Sequence, residues 1–265
     1  MVMSLQIIEW SDFLESSASQ SAMTIGVFDG VHLGHQALIE RIVRRGPNPT
    51  VLTFRENPKK IIFPDLFEGN LYSLKQKLAV FERLGVNQVV LIDFSEDFSK
   101  LKGREFLDLV ENRGKMVFLA IGTDFHCGFH QDTGAKLIRE MNEEKGIPTE
   151  IVPPVILPEA NSRVSSSQTR LAIVSGDLKL AAAFLGRNFA LDLTDVKSGF
   201  SGSNPEFGPK HEAYAYDLRS VNRVAPADGE YSVLMRSDGI VGRAEIKNRK
   251  VFLSREAESI EFIMG

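Results

Sequence analysis

Hydrophobic positions along the chain follow two rhythms. Up to about residue 152, short apolar runs alternate with stretches where apolar residues recur every three or four positions. The runs are 24–28 (TIGVF), 50–54 (TVLTF), 88–92 (QVVLI), 116–121 (MVFLAI) and 148–152 (PTEIV). An apolar run without polar alternation suits a strand covered on both faces, the habit of parallel sheets. Helical spacing is carried by Ala37, Leu38, Ile39, Ile42 and Val43, by Leu74, Leu78 and Phe81 after a capping Ser73, and by residues 103–112 and 132–145. This alternation predicts an α/β fold: a Rossmann-like parallel sheet of about five strands with helices on both faces. Residues 1–22 read as a short strand or turn and a weak helix, with Ile7, Ile8 and Trp10 as packing residues.

After about residue 190 the rhythm changes to short alternating runs: 213–218, 231–235, 239–246 and 250–254, separated by Asp-Gly, Ser-Asp-Gly and Lys-Asn. These predict antiparallel strands in a small barrel-like β domain. The Gly/Ser-rich stretch 198–205 reads as a flexible segment. The expected division is therefore 1–189 and 190–265.

Composition narrows the function classes. The chain has 265 residues, 43% hydrophobic and 25% charged, with a formal net charge of -4. It lacks the basic excess of a dedicated nucleic-acid binder. A single cysteine rules out an internal disulfide framework and fits a reducing cytoplasm. No apolar run approaches ~18 residues, so no membrane helix is expected. Neither does the N-terminus show a basic region followed by an apolar core. The expectation is a cytoplasmic protein without membrane or nucleic-acid partners; nothing in the pattern sets its oligomeric state.

The first run stands apart because of the residues after it. Residues 23–35 read MTIGVFDGVHLGH: a strand, the turn dipeptide Asp29-Gly30, then His32 and His35 at the mouth of a helix. Strand, tight turn and helix N-terminus form a phosphate-binding geometry, because first-turn N–H groups point outward with partial positive charge. Gly30 and Gly34 leave room for a phosphate to approach the backbone. His32 and His35 would share one helix face. Two other readings compete: a tight turn with incidental histidines, and an HxxH zinc pair. The zinc pair lacks partners, since Cys127 is the only cysteine and a structural site wants four ligands. Further along, residues 163–170 (RVSSSQTR) place hydroxyls at a helix start with Arg170 one turn later. That is either an ordinary N-cap with a surface arginine or an anion cradle with a forked donor.

The 23–35 segment resembles the GxFDGxHxGH signature of the HxGH nucleotidyltransferases, and its spelling is closest to bacterial FAD synthetases. Residues 53–60 resemble that family's TFxPxP-like flap through Thr53, Phe54 and Pro58, with Glu56 where many relatives have proline. Residues 122–129 (GTDFHCGF) resemble its GxDFxFG loop, with Cys127 for phenylalanine. Residues 163–170 resemble its RxSSTxIR motif, with Ser167 and Thr169 substituted, and 185–189 its LGRPF, with Asn188 for proline.

The resemblance implies transfer of AMP from ATP to FMN, giving FAD and pyrophosphate. It implies His32, His35 and Arg170 as catalytic. Those three, with Gly26, Val27, Phe28, Asp29, Gly30, Gly122, Asp124, Phe125, Arg163, Ser165, Ser166 and Ser167, would line the ATP site. Phe54, Asn57, Pro58, Asp124 and Phe125 would border FMN. Mg2+ would be bound mainly through ATP phosphates and water, with no protein metal ligand assigned. In bifunctional relatives the C-terminal part is a riboflavin kinase barrel with a GRxLGFPTAN-like motif. Here that motif is missing; residues 204–208 (NPEFG) are at best a remnant, and 228–231 (DGEY) faintly echo DGVYA. Riboflavin kinase activity is therefore expected to be absent. The alternatives are an HxGH nucleotidyltransferase acting on a pantetheine, nicotinate or glycerol phosphate, and an inactive nucleotide-binding regulator.

Overall fold

A computed structural model describes residues 4–15, 19–203, 212–236 and 239–263. They form two compact units. The first holds the described residues up to Phe67 together with Lys77–Val155, and the second holds Glu68–Gln76 with the described residues from Ile156 onward. Residues 156–189 fall in the second unit with the C-terminal strands.

The first unit is built on a parallel sheet of six strands in the order β1-β4-β3-β2-β5-β8. The strands are β1 (Gln6–Glu9), β2 (Ser21–Ile25), β3 (Thr50–Phe54), β4 (Gln88–Ile92), β5 (Met116–Gly122) and β8 (Thr149–Val152). Every residue of β2 and β4 is buried, the polar Ser21, Thr24 and Gln88 included. Between the strands run α1 (Trp10–Glu15), α2 (Leu33–Arg45), α3 (Pro58–Ile62), α4 (Leu74–Arg83), α5 (Glu96–Lys100), α6 (Gly103–Gly114) and α7 (Ala135–Glu144). The first three residues of α4 belong to the second unit. Two-residue strands β6 (His126–Cys127) and β7 (Thr133–Gly134) pair with each other before α7.

One continuous core includes Met23 and Ile25 of β2, Leu52, Val90 and Ile92, Leu119 and Ile121, and Phe106, Leu107 and Val110 of α6. β2 corrects one expectation: the strand stops at Ile25, and Gly26, Val27 and Phe28 already belong to the turn.

The second unit contains β9 (Ile156–Leu157) paired with β10 (Ser162–Arg163), then α8 (Ser166–Val174) and α9 (Leu178–Leu185). An antiparallel sheet of seven strands follows, β11-β17-β14-β15-β16-β13-β12. Its members are β11 (Ala190–Asp192), β12 (Ser198–Ser203), β13 (Glu212–Asp217), β14 (Gly229–Met235), β15 (Ile240–Lys247), β16 (Lys250–Leu253) and β17 (Ser259–Phe262). β12 is a second correction. Its backbone pairs with β13 with a register break between Phe200 and Ser203. The low apolar content of 198–203 hid a strand held by main-chain hydrogen bonds. Residues 204–208, the kinase-motif remnant, lie outside the described residues.

Candidate active site

Strand order marks a switch point in the first unit. β2 and β5 are neighbours, yet the chain visits β3 and β4 before returning to β5. Connections after β2 and β5 therefore leave the sheet in opposite directions. In open α/β sheets ligands bind outside the carboxyl ends of strands at such a switch point. The two segments there are residues 26–32 and 122–129, both singled out from sequence.

The turn after β2 is unusual backbone. Phe28 has φ 54, Gly30 φ 77 and Val31 φ 40, all in the left-handed region. For a β-branched residue such as Val31 that conformation is a true outlier, of a kind that gathers at functional sites. Phe28 is buried, and its ring packs edge-on against His35 at 5.1 Å and Phe81 at 5.6 Å. A Cβ at Gly26 would lie 3.2 Å from the Phe28 ring, so that glycine admits the ring.

His32 is the N-cap of α2, its Nδ1 accepting from the backbone N–H of His35 at 3.4 Å. With Nδ1 accepting, a neutral ring carries its proton on Nε2. The two imidazoles stack at 3.6 Å with 18° between their planes. The side-chain amide of Gln36 donates to the carbonyl of Val31 at 3.0 Å, tying the strained turn to the helix it feeds. Asp29 and Gly30 are buried, and Gly34 lies in the first turn of α2.

The loop after β5 divides its roles. Asp124 is exposed, and its carbonyl contacts His126 Nδ1 at 3.0 Å. Phe125 is half-buried and packs on the sheet core, with its N–H donating to Gly122 O at 3.1 Å. A Cβ at Gly122 would meet nothing within 4 Å, so the strand end faces open space. Gly128 has φ 85, and a Cβ there would collide with the Gly103 backbone and the Asp132 carboxylate. Burial pushes the Cys127 thiol up to about 12, with the Asp132 carboxylate adding to the rise, which fits a packing residue rather than a nucleophile.

After β3, Phe54 packs against Phe94 and Phe98. Buried Asn57 caps α3, accepting from Lys59 N–H at 3.1 Å, and Pro58 fills the first helical position. Ile61, Ile62, Phe63 and Leu66 follow with exposed side chains.

Sequence reasoning missed Lys77. It is only 7% exposed, on the same helix face as Phe81. Its Nζ donates to Phe54 O at 2.8 Å, Thr53 Oγ1 at 3.2 Å and Val27 O at 3.3 Å. Burial draws its ammonium down to about 8, opposed by the carboxylates of Asp29 and Glu56. The signal was present in the spacing: Lys77 falls between Leu74 and Phe81 on the apolar stripe, where lysine is rare unless partnered.

The second unit carries residues 163–170. Ser165 caps α8, accepting from Gln168 N–H at 3.2 Å; Ser166 and Ser167 form its first turn, and Arg163 is exposed. The Arg170 side chain is 13% exposed; it donates to Gly69 O at 3.0 Å, and its Nε lies 3.9 Å from Glu68. Both the capping and anion-cradle readings of this segment share that geometry. Among the described residues no group of three or more His, Cys, Asp or Glu could hold a metal ion. None of the helices among them is long and apolar enough to cross a membrane.

A family model described as FAD synthetase matches residues 14–168. The bifunctional riboflavin kinase/FMN adenylyltransferase of Escherichia coli (strain K12) is 29% identical over 216 residues, covering 80% of this chain and 66% of the relative. The protein of the same description from Pseudomonas fluorescens is 33% identical over 174 residues, covering 63% and 55%. The chain therefore spans less than two thirds of the length of these curated relatives. A crystal structure described as a macrolide-efflux protein from Streptococcus pneumoniae matches with a TM-score of 0.76 at 23% identity, covering 98% of this chain and 89% of that one. At that identity the likeness concerns the fold alone.

Proposed function

The chain belongs to the FAD synthetase family, and from that premise we propose that it transfers AMP from ATP to FMN. The observation that carries the reading is the strained 28–31 turn, which delivers the stacked His32 and His35 to the switch point of the parallel sheet. An FMN phosphate oxygen attacks the α-phosphorus of ATP. The new P–O bond forms as the bond to the bridging oxygen breaks, and pyrophosphate leaves. No covalent enzyme intermediate is needed, so catalysis is alignment plus stabilisation of developing charge.

In this reading His32 and His35 donate to phosphate oxygens as charge builds. Backbone from Gly26 to Gly30, with Gly122, Asp124 and Phe125, borders the nucleotide. Phe54, Asn57 and Pro58 border the flavin side, with Asp124 and Phe125. Arg163, Ser165, Ser166, Ser167 and Arg170 serve the terminal phosphates; the α8 N-terminus and its capping hydroxyls suit an anion. In this reading no residue of the chain is assigned as a metal ligand. Magnesium would be held mainly by the phosphate oxygens of ATP and by water, which it gives up reluctantly. The domain division at 189/190 is retained as a functional boundary, and the single cysteine suits a reducing cytoplasm.

Incubating the protein with FMN, ATP and magnesium and resolving flavins by chromatography tests the proposal. FAD with stoichiometric pyrophosphate is expected. Turnover of a pantetheine, nicotinate or glycerol phosphate in place of FMN would reassign the substrate.

A further inference from the structure

The strained turn needs an anchor, because three left-handed residues in four would relax if their flanks were loose. On its C-terminal side the anchor is α2, through the His32 cap and Gln36. On its N-terminal side β2 has already ended at Ile25, and the ladder reaches only to Gly26 N–H, which donates to Leu52 O at 3.1 Å. Beyond it, the Val27 carbonyl is held by side chains instead. It accepts from Thr53 Oγ1 at 3.1 Å and from Lys77 Nζ at 3.3 Å. Thr53 in turn accepts from Lys77, which closes a triangle, and the third ammonium hydrogen goes to Phe54 O. An ammonium has three donors and no acceptor, and here each has one oxygen. One turn further along α4, Phe81 supports the Phe28 ring, which contacts His35.

We propose that Lys77 is a positioning residue for adenylyl transfer: its ammonium, with Thr53, pins the Val27 carbonyl to the end of β3 and so holds the 28–31 turn that aims His32 and His35. This rests on the adenylyl-transfer reading above, but its structural half stands apart from the reaction. Burying an ammonium is costly unless its hydrogen bonds are met, and an apolar side chain would fill the same space without that cost. The charged groups that face it are Asp29 in the turn and Glu56 after β3. Protonated Lys77 satisfies all three oxygens, whereas the neutral amine has two hydrogens and leaves one oxygen without its donor.

Two readouts on Lys77→Met and Thr53→Val separate the claims. Hydrogen exchange of the peptide spanning residues 26–35 should quicken at least tenfold in either variant, with exchange in β4 and α6 unchanged. In the FAD-forming assay kcat should fall by about tenfold or more with KM for ATP and FMN within twofold. The wild-type kcat should decline with rising pH through an ionisation near 8 that Lys77→Met lacks. If Lys77→Met does not fold, Thr53→Val carries the exchange and kcat arms, because it keeps the lysine and deletes only the bridging hydroxyl. Unaltered exchange over 26–35 in a folded variant would overturn the inference. So would kcat within twofold of wild type in a variant whose parent makes FAD. A wild-type protein that makes no FAD would sink the functional reading alone, leaving the exchange data to decide the anchor.

Discussion

His32 and His35 stack ring on ring at 3.6 Å while the backbone N–H of one donates to Nδ1 of the other. One side chain is thus both a helix cap and a candidate catalytic donor, and the two roles can be pulled apart. His32→Ala should reduce kcat by roughly 10²–10³, the scale for one preorganised donor to a developing anion. It should also lower stability by about 1 kcal/mol, because His32 is buried and its cap is lost. His32→Asn restores a good cap and should recover the melting temperature but not kcat. His35→Ala should cost a similar factor in kcat. Wild-type turnover in both alanine variants would remove the histidines from the chemistry.

Arg170 is less available than its sequence context suggests. Its guanidinium is largely buried and donates to Gly69 O within its own unit. On the proposed phosphate contact, Arg170→Ala should raise KM for ATP more than KM for FMN, and its burial means that the melting temperature should fall as well. Arg170→Lys keeps the charge but loses the fork, so both effects should be only partly restored. Equal KM changes for the two substrates, together with a lower melting temperature, would make Arg170 a packing residue.

The depressed Lys77 ionisation has a stability signature with a definite sign. The folded group titrates near 8, below its ordinary value of 10.5. Between those values the unfolded chain binds a proton that the folded chain does not, so this group's contribution to stability rises with pH. Urea unfolding at pH 7.5 and 9.5 should show wild type gaining roughly 2 kcal/mol relative to Lys77→Met across that window. A difference that stays constant would mean the lysine is not depressed.

Two glycines of the loop after β5 should behave oppositely. Gly128→Ala forces a side chain onto a φ of 85 and into the Gly103 backbone, which itself donates to Asp132 at 2.9 Å. It should cost about 1–3 kcal/mol, as strained positions do. Gly122→Ala meets nothing within 4 Å and should leave the melting temperature unchanged. It should raise KM for ATP if the strand end faces the nucleotide. Thermal melts and initial rates decide both.

The parallel strands were legible because their apolar runs have no other use: β2, β3, β4 and β5 are buried almost throughout. The antiparallel strands β13 to β16 were legible from alternation. The elements that escaped depend on partners distant in sequence. β12 is Gly/Ser-rich and exists through pairing with β13. β11 and β17 are short, and each is fixed by the other, with β17 also paired to β14. In the candidate site, the motif histidines and glycines were readable, but the distortion of Phe28 and Val31 was not, since neither residue type favours positive φ. Lys77 was missed because its three acceptors come from the turn after β2 and the end of β3, distant in sequence.

Riboflavin should not be a substrate. Phosphorylating it requires an ATP site of its own, a metal and a base for the ribityl hydroxyl, and the relatives described as bifunctional carry a kinase as well as an adenylyltransferase. In this chain the echo of DGVYA is spent on packing: Tyr231 donates to Ala227 O at 2.8 Å, and its ring meets Phe262 edge-on at 5.4 Å. Glu230, one candidate base, is exposed and lies 3.6 Å from Arg243, a solvated pair of little energetic weight. No Pro-Thr-Ala-Asn turn occurs anywhere in residues 190–265. The C-terminal strands still have structural work, because Phe189 is buried and stacks on Phe262 at 5.6 Å. A chain truncated after Phe189 should therefore lose solubility rather than report cleanly on the first unit, and the test belongs on the full chain. Supplied with riboflavin, ATP and magnesium it should yield neither FMN nor FAD, while FMN under the same conditions should yield FAD. Formation of either product from riboflavin at a rate comparable to the FMN reaction would show that the seven-stranded sheet is a kinase built without the usual motif.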